Sequence, residues 1–260
     1  MLDTIFQKYD LFLIVMMRMT GFILFNPVFG RRNVPNTVKA AMALTLAVVI
    51  VSPMERDAEL DKYTADIFVF MLLLVKEAVF GYLIGLIINI YFSVISMGGE
   101  IIDMQMGLSM SQLYDPGSNI QMPLTANFFN VELMLIFFMT RSHTTLIEMI
   151  RMSFEVSPVT SFSFNAAIAI GLMSLFAHIF VLSLKLAFPI LAVELVTETG
   201  IGIIMRAVPS INVFVVGVQL KILVALIVLV TVCPFLARFF DGMMYEMNEY
   251  IYNALIFFAS

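Results

Sequence analysis

The chain has 260 residues, 61% of them hydrophobic and 13% charged, with a formal net charge of −5. A soluble protein carries about 25% charged residues, so this chain cannot cover a surface for water, and its negative balance excludes a basic nucleic-acid footprint. One cysteine, Cys233, excludes an intrachain disulfide and a cysteine-based metal cluster; set in an apolar run, it reads as inert packing.

The opening run, MLDTIFQKYD, lacks the basic start of a secretory signal, and no small-residue cleavage site follows it. The first apolar segment is therefore expected to remain in the mature chain. That segment, Leu11 to Phe25, holds Arg18 and Gly21 and is ended by Asn26-Pro27. Val38 to Val51 follows and stops at Ser52-Pro53. At 1.5 Å per residue it is about 21 Å long, short of a bilayer core of about 30 Å, so a core or re-entrant helix is expected. Met54 to Lys62 is a charged, solvated loop. Ile67 to Met97 is longer than a span requires, carries Lys76-Glu77, and holds Gly81 and Gly85 at the spacing that lets another helix approach closely.

Gly98 to Pro123 separates two long apolar segments and is polar without being charged like a solvated loop. Glu100, Asp103 and Asp115 are its acids, no Lys or Arg accompanies them, and Met104, Met106, Met110 and Met122 supply adaptable thioethers. Asp115-Pro116-Gly117 is a turn signal, because Pro presets φ and Gly accepts positive φ. Two readings stay open here. One is an ordinary extramembrane loop; the other is irregular backbone at membrane depth, tolerated where it is buried in protein or lines a cavity, and hence a gate or plug.

Beyond it, Leu124 to Thr140 reads as a helix, Arg141-Ser142-His143 as a helix end where His143 caps or hydrogen-bonds, and Thr144 to Phe154 as an amphipathic piece closed at Ser157-Pro158. Asn165 to Glu198 contains His178, read as a core histidine, together with Lys185, Pro189 and Glu194. A break is expected from Thr199-Gly200-Ile201-Gly202 to Arg206-Ala207-Val208-Pro209. Ile211 to Phe240 is the last span, with Lys221 and Pro234, and Asp241 to Ser260 is a tail expected to form a separate interfacial helix. Six unequal spans result, in an all-α fold of integral membrane type. Basic residues divide too evenly between its two sides to set an orientation.

Arg18, Lys76, Lys185 and Lys221 lie inside apolar runs. Each costs about 2.5–3.5 kcal/mol at a helix centre, so several helices are expected to face protein rather than lipid. In the last hairpin Lys185 and Lys221 fall at similar depth with few acids nearby. Each ammonium therefore needs an acceptor, and Lys221 above all is expected to find a carboxylate or helix-end carbonyls on an adjacent subunit.

No HExxH, G-x-S-x-G, GxxxxGK[ST] or Cys/His ligand spacing occurs. No enzyme, cofactor or metal site is expected. Two classes remain: a subunit of a membrane assembly, and an ion-coupled secondary transporter in which Lys76-Glu77, Lys185, Glu194, Glu198 and Lys221 form a relay. The chain lacks the inverted repeat of a transporter. A transporter purifies alone and binds a solute, whereas an assembly subunit depends on its partners.

The run Gly98-Gly99-Glu100-Ile101-Ile102, then Gln105-Met106-Gly107-Leu108-Ser109, Asp115-Pro116 and Met122-Pro123, closely resembles the FliR family of flagellar export-gate proteins. So do Arg18-x-x-Gly21, Pro27, Val34-Pro35, Gly81 to Gly85, His143, Ser153-Phe154, Pro189 and Arg206-x-x-Pro209 to Lys221, in the family's order over nearly the whole chain. The hairpin from Leu184 to Gly242, with Lys221 followed by Pro234, also looks like FliQ. The resemblance implies broken helical hairpins: a FliP-like part over 1–160 with the central plug loop 98–123, and a FliQ-like hairpin and tail over 161–260. It implies assembly in the bacterial inner membrane, at the flagellar basal body, with FliP, FliQ, FlhB and further export-apparatus proteins. Unfolded flagellar subunits would pass through, with no nucleic acid bound. Gly107, Ser109, Met110, Tyr114, Asp115, Pro116, Gly117 and Met122 are the expected gate residues, and Gly81, Gly85, Arg206 and Lys221, with Lys185 from the buried-charge argument above, the expected assembly residues. Met110-Ser111-Gln112 departs from the small apolar residues of many relatives. The related subunit of a virulence injectisome is the alternative within the family.

Overall fold

Proline and asparagine punctuate the amino-terminal third. In the computed structural model, α1 (Tyr9–Phe25) ends where Asn26 turns extended at φ −72° and ψ 129°. The Asn26 side-chain oxygen then accepts the Val28 and Phe29 N–H groups at 2.8 and 3.2 Å. Pro27 disfavours helix at Asn26, and this Asx turn supplies the backbone with other partners. Pro35 precedes α2 (Asn36–Val51), whose 16 residues make it too short to cross a bilayer alone, as expected. The ammonium of Lys39 is held by the Gly30 carbonyl at 2.9 Å.

The described residues are 8–55, 60–64, 66–108, 123–159, 166–208 and 213–259. After the single turn α3 (Leu60–Thr64) come α4 (Ile67–Met106), α5 (Leu124–Met139), α6 (Ser142–Val156), α7 (Ala166–Ala207) and α8 (Val213–Ala259). Every regular element among the described residues is a helix, as an all-α membrane fold requires. Three of them, α4, α7 and α8, are long and apolar enough to cross a membrane; α5 and α6, bent by 69°, could make a fourth span together. The six spans read from hydropathy are thereby reduced, because α1 and α2 are only 17 and 16 residues long.

Three boundaries differ from expectation, each for a physical reason. Helix α4 continues nine residues past Met97, so Gly98 to Met106 is helix and not irregular backbone. The glycines in it are tolerated because they sit against other helices, as shown below. Helix α7 passes through Gly200 and Gly202 to Ala207; a glycine costs a helix about 1 kcal/mol against alanine, too little to end one. The predicted tail is not a separate helix but the last part of α8, a single helix of 47 residues with Pro234 inside it.

The chain forms two compact units that interleave along the sequence. One comprises residues 1–91, 143–173 and 246–260, the other residues 92–142 and 174–245. Neither unit has a boundary at residue 160.

In the first unit α1 and α4 touch backbone to backbone. A Cβ on Gly21 would overlap the Ala78 carbonyl oxygen, one on Gly81 would overlap that of Arg18, and one on Gly85 would lie 2.9 Å from that of Phe22. Beside this crossing, the fully buried Arg18 guanidinium pairs with Glu77 at 2.6 Å. It also donates to the Ser153 carbonyl at 3.0 Å and to the Ser157 carbonyl at 3.2 Å, groups at the carboxy end of α6. Phe80 and Phe154 flank it at 4.4 and 4.1 Å. A buried cation with its donors matched and aromatic faces beside it joins α1, α4 and α6 at one point. The expectation that Arg18 faces protein holds.

In the second unit Phe129 stacks edge-on against Phe240, and Phe92 against Phe137. Gly98 packs on Ser183 and Leu186 of α7.

Candidate functional site

The central stretch is flanked by two helices of the second unit that are locked to each other. Gly99 of α4 lies so close to Ala126 of α5 that a Cβ would come within 2.5 Å of the Ala126 nitrogen. One turn further along α4, the buried Asp103 carboxylate accepts the Thr125 N–H at 3.1 Å and the Thr125 hydroxyl. Helix α5 needs this external cap. Pro123 stands at its N-cap position and has no side-chain oxygen to offer the first N–H groups. A carboxylate there also meets the positive end of the helix dipole. The Met106 sulfur lies 3.9 Å from the Thr125 hydroxyl oxygen.

Gly107 then ends α4 with φ +81°. The Leu108 N–H returns to the Asp103 carbonyl at 3.1 Å and the Gly107 N–H to the Met104 carbonyl at 3.2 Å. This is a Schellman ending, which places a left-handed residue where glycine is strain-free. Both ends of the stretch are therefore anchored within a few residues of the Asp103–Thr125 contact. Of the expected gate residues, Gly107 is placed at this anchor. Ser109, Met110, Tyr114, Asp115, Pro116, Gly117 and Met122 lie outside the described residues.

On the same unit a polar cluster adjoins the end of α4. Glu198 of α7 accepts from the Gln105 amide at 3.2 Å and pairs with the Lys221 ammonium of α8, also at 3.2 Å. Glu194, one turn earlier on α7, is fully buried, and neither of its carboxylate oxygens has a hydrogen-bond partner among the described residues. Lys221, expected to find an acceptor on an adjacent subunit, already has one within its own chain, Glu198 of α7. The hairpin folds Glu198 opposite Lys221, a pairing that a linear inventory of acids misses.

The other assembly residues separate. The close approach of Gly81 and Gly85 is made inside the chain, to α1, and so offers no free face there. Lys185 and Arg206 are exposed on α7, with no hydrogen bond or ion pair to either among the described residues. His178 is exposed too, not a core histidine. Cys233 is half-buried, with its thiol 3.8 Å from a Glu132 carboxylate oxygen, so it faces a polar neighbour instead of packing inertly. Glu77, a candidate relay member, is engaged by Arg18.

Sequence reasoning did not anticipate Thr125, the contact of Glu198 or the capping role of Asp103. Only the last left a signal: a helix beginning after a proline, with no capping side chain of its own, needs an acceptor from elsewhere.

Comparison with known proteins places this architecture. The profile of the family described as "Bacterial export proteins, family 1" matches residues 9–247. Over 234 residues the chain is 32% identical to the "Flagellar biosynthetic protein FliR" of Bacillus subtilis (strain 168), covering 88% of each chain. The Escherichia coli (strain K12) protein of the same name is 26% identical over 233 residues, covering 89% of this chain and 87% of its own. The "Yop proteins translocation protein T" of Yersinia pestis is 32% identical over 170 residues, 65% of each. With a match that runs through both compact units and across the Asp103–Thr125 anchor, the chain belongs to family 1 of the bacterial export proteins, the family of the flagellar FliR proteins.

Proposed function

We propose that this chain is a structural subunit of the flagellar type III export apparatus, building a helical export gate in the bacterial inner membrane at the basal body. In that reading it assembles with FliP and FliQ, is joined by FlhB, and lets unfolded flagellar subunits pass. The observation that carries it is the doubly anchored central stretch. A segment whose two ends are clamped by Gly99 on Ala126 and Asp103 on Thr125 has a fixed base from which to close a passage. Its methionines suit a soft seal, one that blocks ions and yields to a polypeptide. The names of the matched relatives support the flagellar assignment. The role is that of a pore component and not of an enzyme. The FliP-like part over 1–160 and the FliQ-like part over 161–260 belong to the same proposal.

Deleting the chain from a flagellated host should abolish motility and secretion of flagellar subunits, and restoring it should bring both back. Deleting Met110 to Gly117 should make the assembled complex leak small ions in planar bilayers. Unchanged conductance of an intact assembly would rule out the plug. Similarity to the Yersinia translocation protein supports a second reading, in which the chain serves an injectisome. Rescue of effector secretion without rescue of motility would select it.

A further inference from the structure

Helix α7 is packed on one side only. Leu175, Ile179, Leu182, Leu186, Ile190 and Glu194 are buried, and they follow one another at helical spacing along a single face. The opposite face is exposed from Ser174 through His178, Val181, Lys185 and Phe188 to Ala192, at alternating steps of four and three residues. That is the a/d spacing of a helix-packing seam. The small Ser174 and Ala192 near its ends and the large Val181 and Phe188, 47% and 67% exposed, form the knobs and hollows such a seam needs.

Neither water nor lipid suits this face. Phe176, Phe180 and Leu184 widen it, so water would meet an apolar strip about 27 Å long at 1.5 Å per residue, close to the thickness of a bilayer core. Lipid would meet Lys185, which stands about 28 Å from the Ala166 end of α7 and about 33 Å from the Ala207 end at 1.5 Å per residue. Sliding the helix so that this ammonium reaches a membrane surface puts one half of the apolar strip into water. A protein helix that is apolar on its contacting side and acidic opposite Lys185 satisfies both demands. A second copy of this chain does not, because its own stripe would bring another ammonium and another imidazole. The acid nearest in sequence, Glu194, is buried on the other face.

We propose that the Ser174–Ala192 face of α7 is the seat of an apolar helix from a different subunit, one carrying a carboxylate at the depth of Lys185. This rests on the assembly role proposed above and adds to it the docking face and the chemistry of its occupant. A charged residue at one core position of such a seam sets register. Lys185 selects the partner's acid, and Val181 and Phe188 supply the contact on either side.

The test places a photo-crosslinking amino acid at Val181 or Phe188 of the full chain, co-expressed with the export apparatus, with Leu72 on α4 as the control position. Each seam position should give a discrete adduct to one other subunit, in a peptide with Asp or Glu within one helical turn of the linked residue. Lys185→Glu should lower its yield at least tenfold, Lys185→Arg should retain it, and replacing the partner's acid by Lys should restore it in the Lys185→Glu background. If Lys185→Glu does not accumulate alone, accumulation of the charge-reversed pair supports the proposal, and failure of that pair overturns it. Adducts to lipid, to a second copy, or to a peptide with no nearby acid overturn it, as does a yield indifferent to Lys185→Glu. An assembled, secreting complex without these adducts removes the docking face while leaving the export role intact.

Discussion

Arg18 and Asp103 do opposite kinds of work with buried charge. Arg18 is satisfied by Glu77 and by the carbonyls of Ser153 and Ser157, so removing it strands a carboxylate in the interior. Arg18→Met should destabilise the chain by about 3–5 kcal/mol, and adding Glu77→Met should recover most of that loss because no buried charge then remains. Thermal midpoints of the purified complexes check this: a double variant no more stable than the single one contradicts it. Asp103 caps a helix whose own cap position is proline. Asp103→Ala should cost about 1–2 kcal/mol, whereas Asp103→Asn should cost much less, since asparagine also accepts at helix starts. A loss in thermal midpoint equal for the two variants would show that Asp103 does not act as a cap.

At the scale of elements, the glycines separate by what surrounds them. Gly107 has φ +81°, where a Cβ is strained, so Gly107→Ala should destabilise the end of α4 by about 1–2 kcal/mol. Gly200 and Gly202 stand inside α7 with nothing within 4 Å of a built Cβ. Alanine at either should stabilise the chain by about 0.4–1 kcal/mol through the unfolded state. Thermal midpoints of the purified complexes read the sign directly; a loss at Gly200 or Gly202 would mean that an assembled neighbour needs the missing side chain's space. Chain-order reading predicted a break at these two glycines because it weighs glycine alike wherever it stands.

For the molecule as a whole, the exposed apolar faces of α7 and α8 and the short α2 fit the assembly role proposed above. Expressed alone it should aggregate or be degraded, and it should become monodisperse when its partners are co-expressed. A thermally stable monomer in mild detergent would contradict this. The Lys221–Glu198 pair adds a graded version. Lys221→Met leaves Glu198 without its cation beside the buried Glu194, so the yield of co-purified complex should fall below that of Lys62→Met, whose lysine is exposed on α3. Equal yields would deny the pair a part in assembly.

Composition and apolar periodicity were enough to establish a helical membrane-type chain, most of its helix starts, the short second helix and the helix end at Arg141. These follow from local rules: burial of apolar side chains, the turn chemistry of proline, and the length a bilayer demands. Motifs in order along the chain were enough to point to its family. Tertiary structure alone decided which glycines break a helix and which let two helices touch, that Gly81 and Gly85 serve α1, and that Lys221 finds Glu198 within its own chain. It also decided that Asp103, rather than Glu100 in the turn before it, caps α5. Each of these depends on what stands opposite a residue across residues distant in sequence, and a side chain's own identity carries no record of its partner.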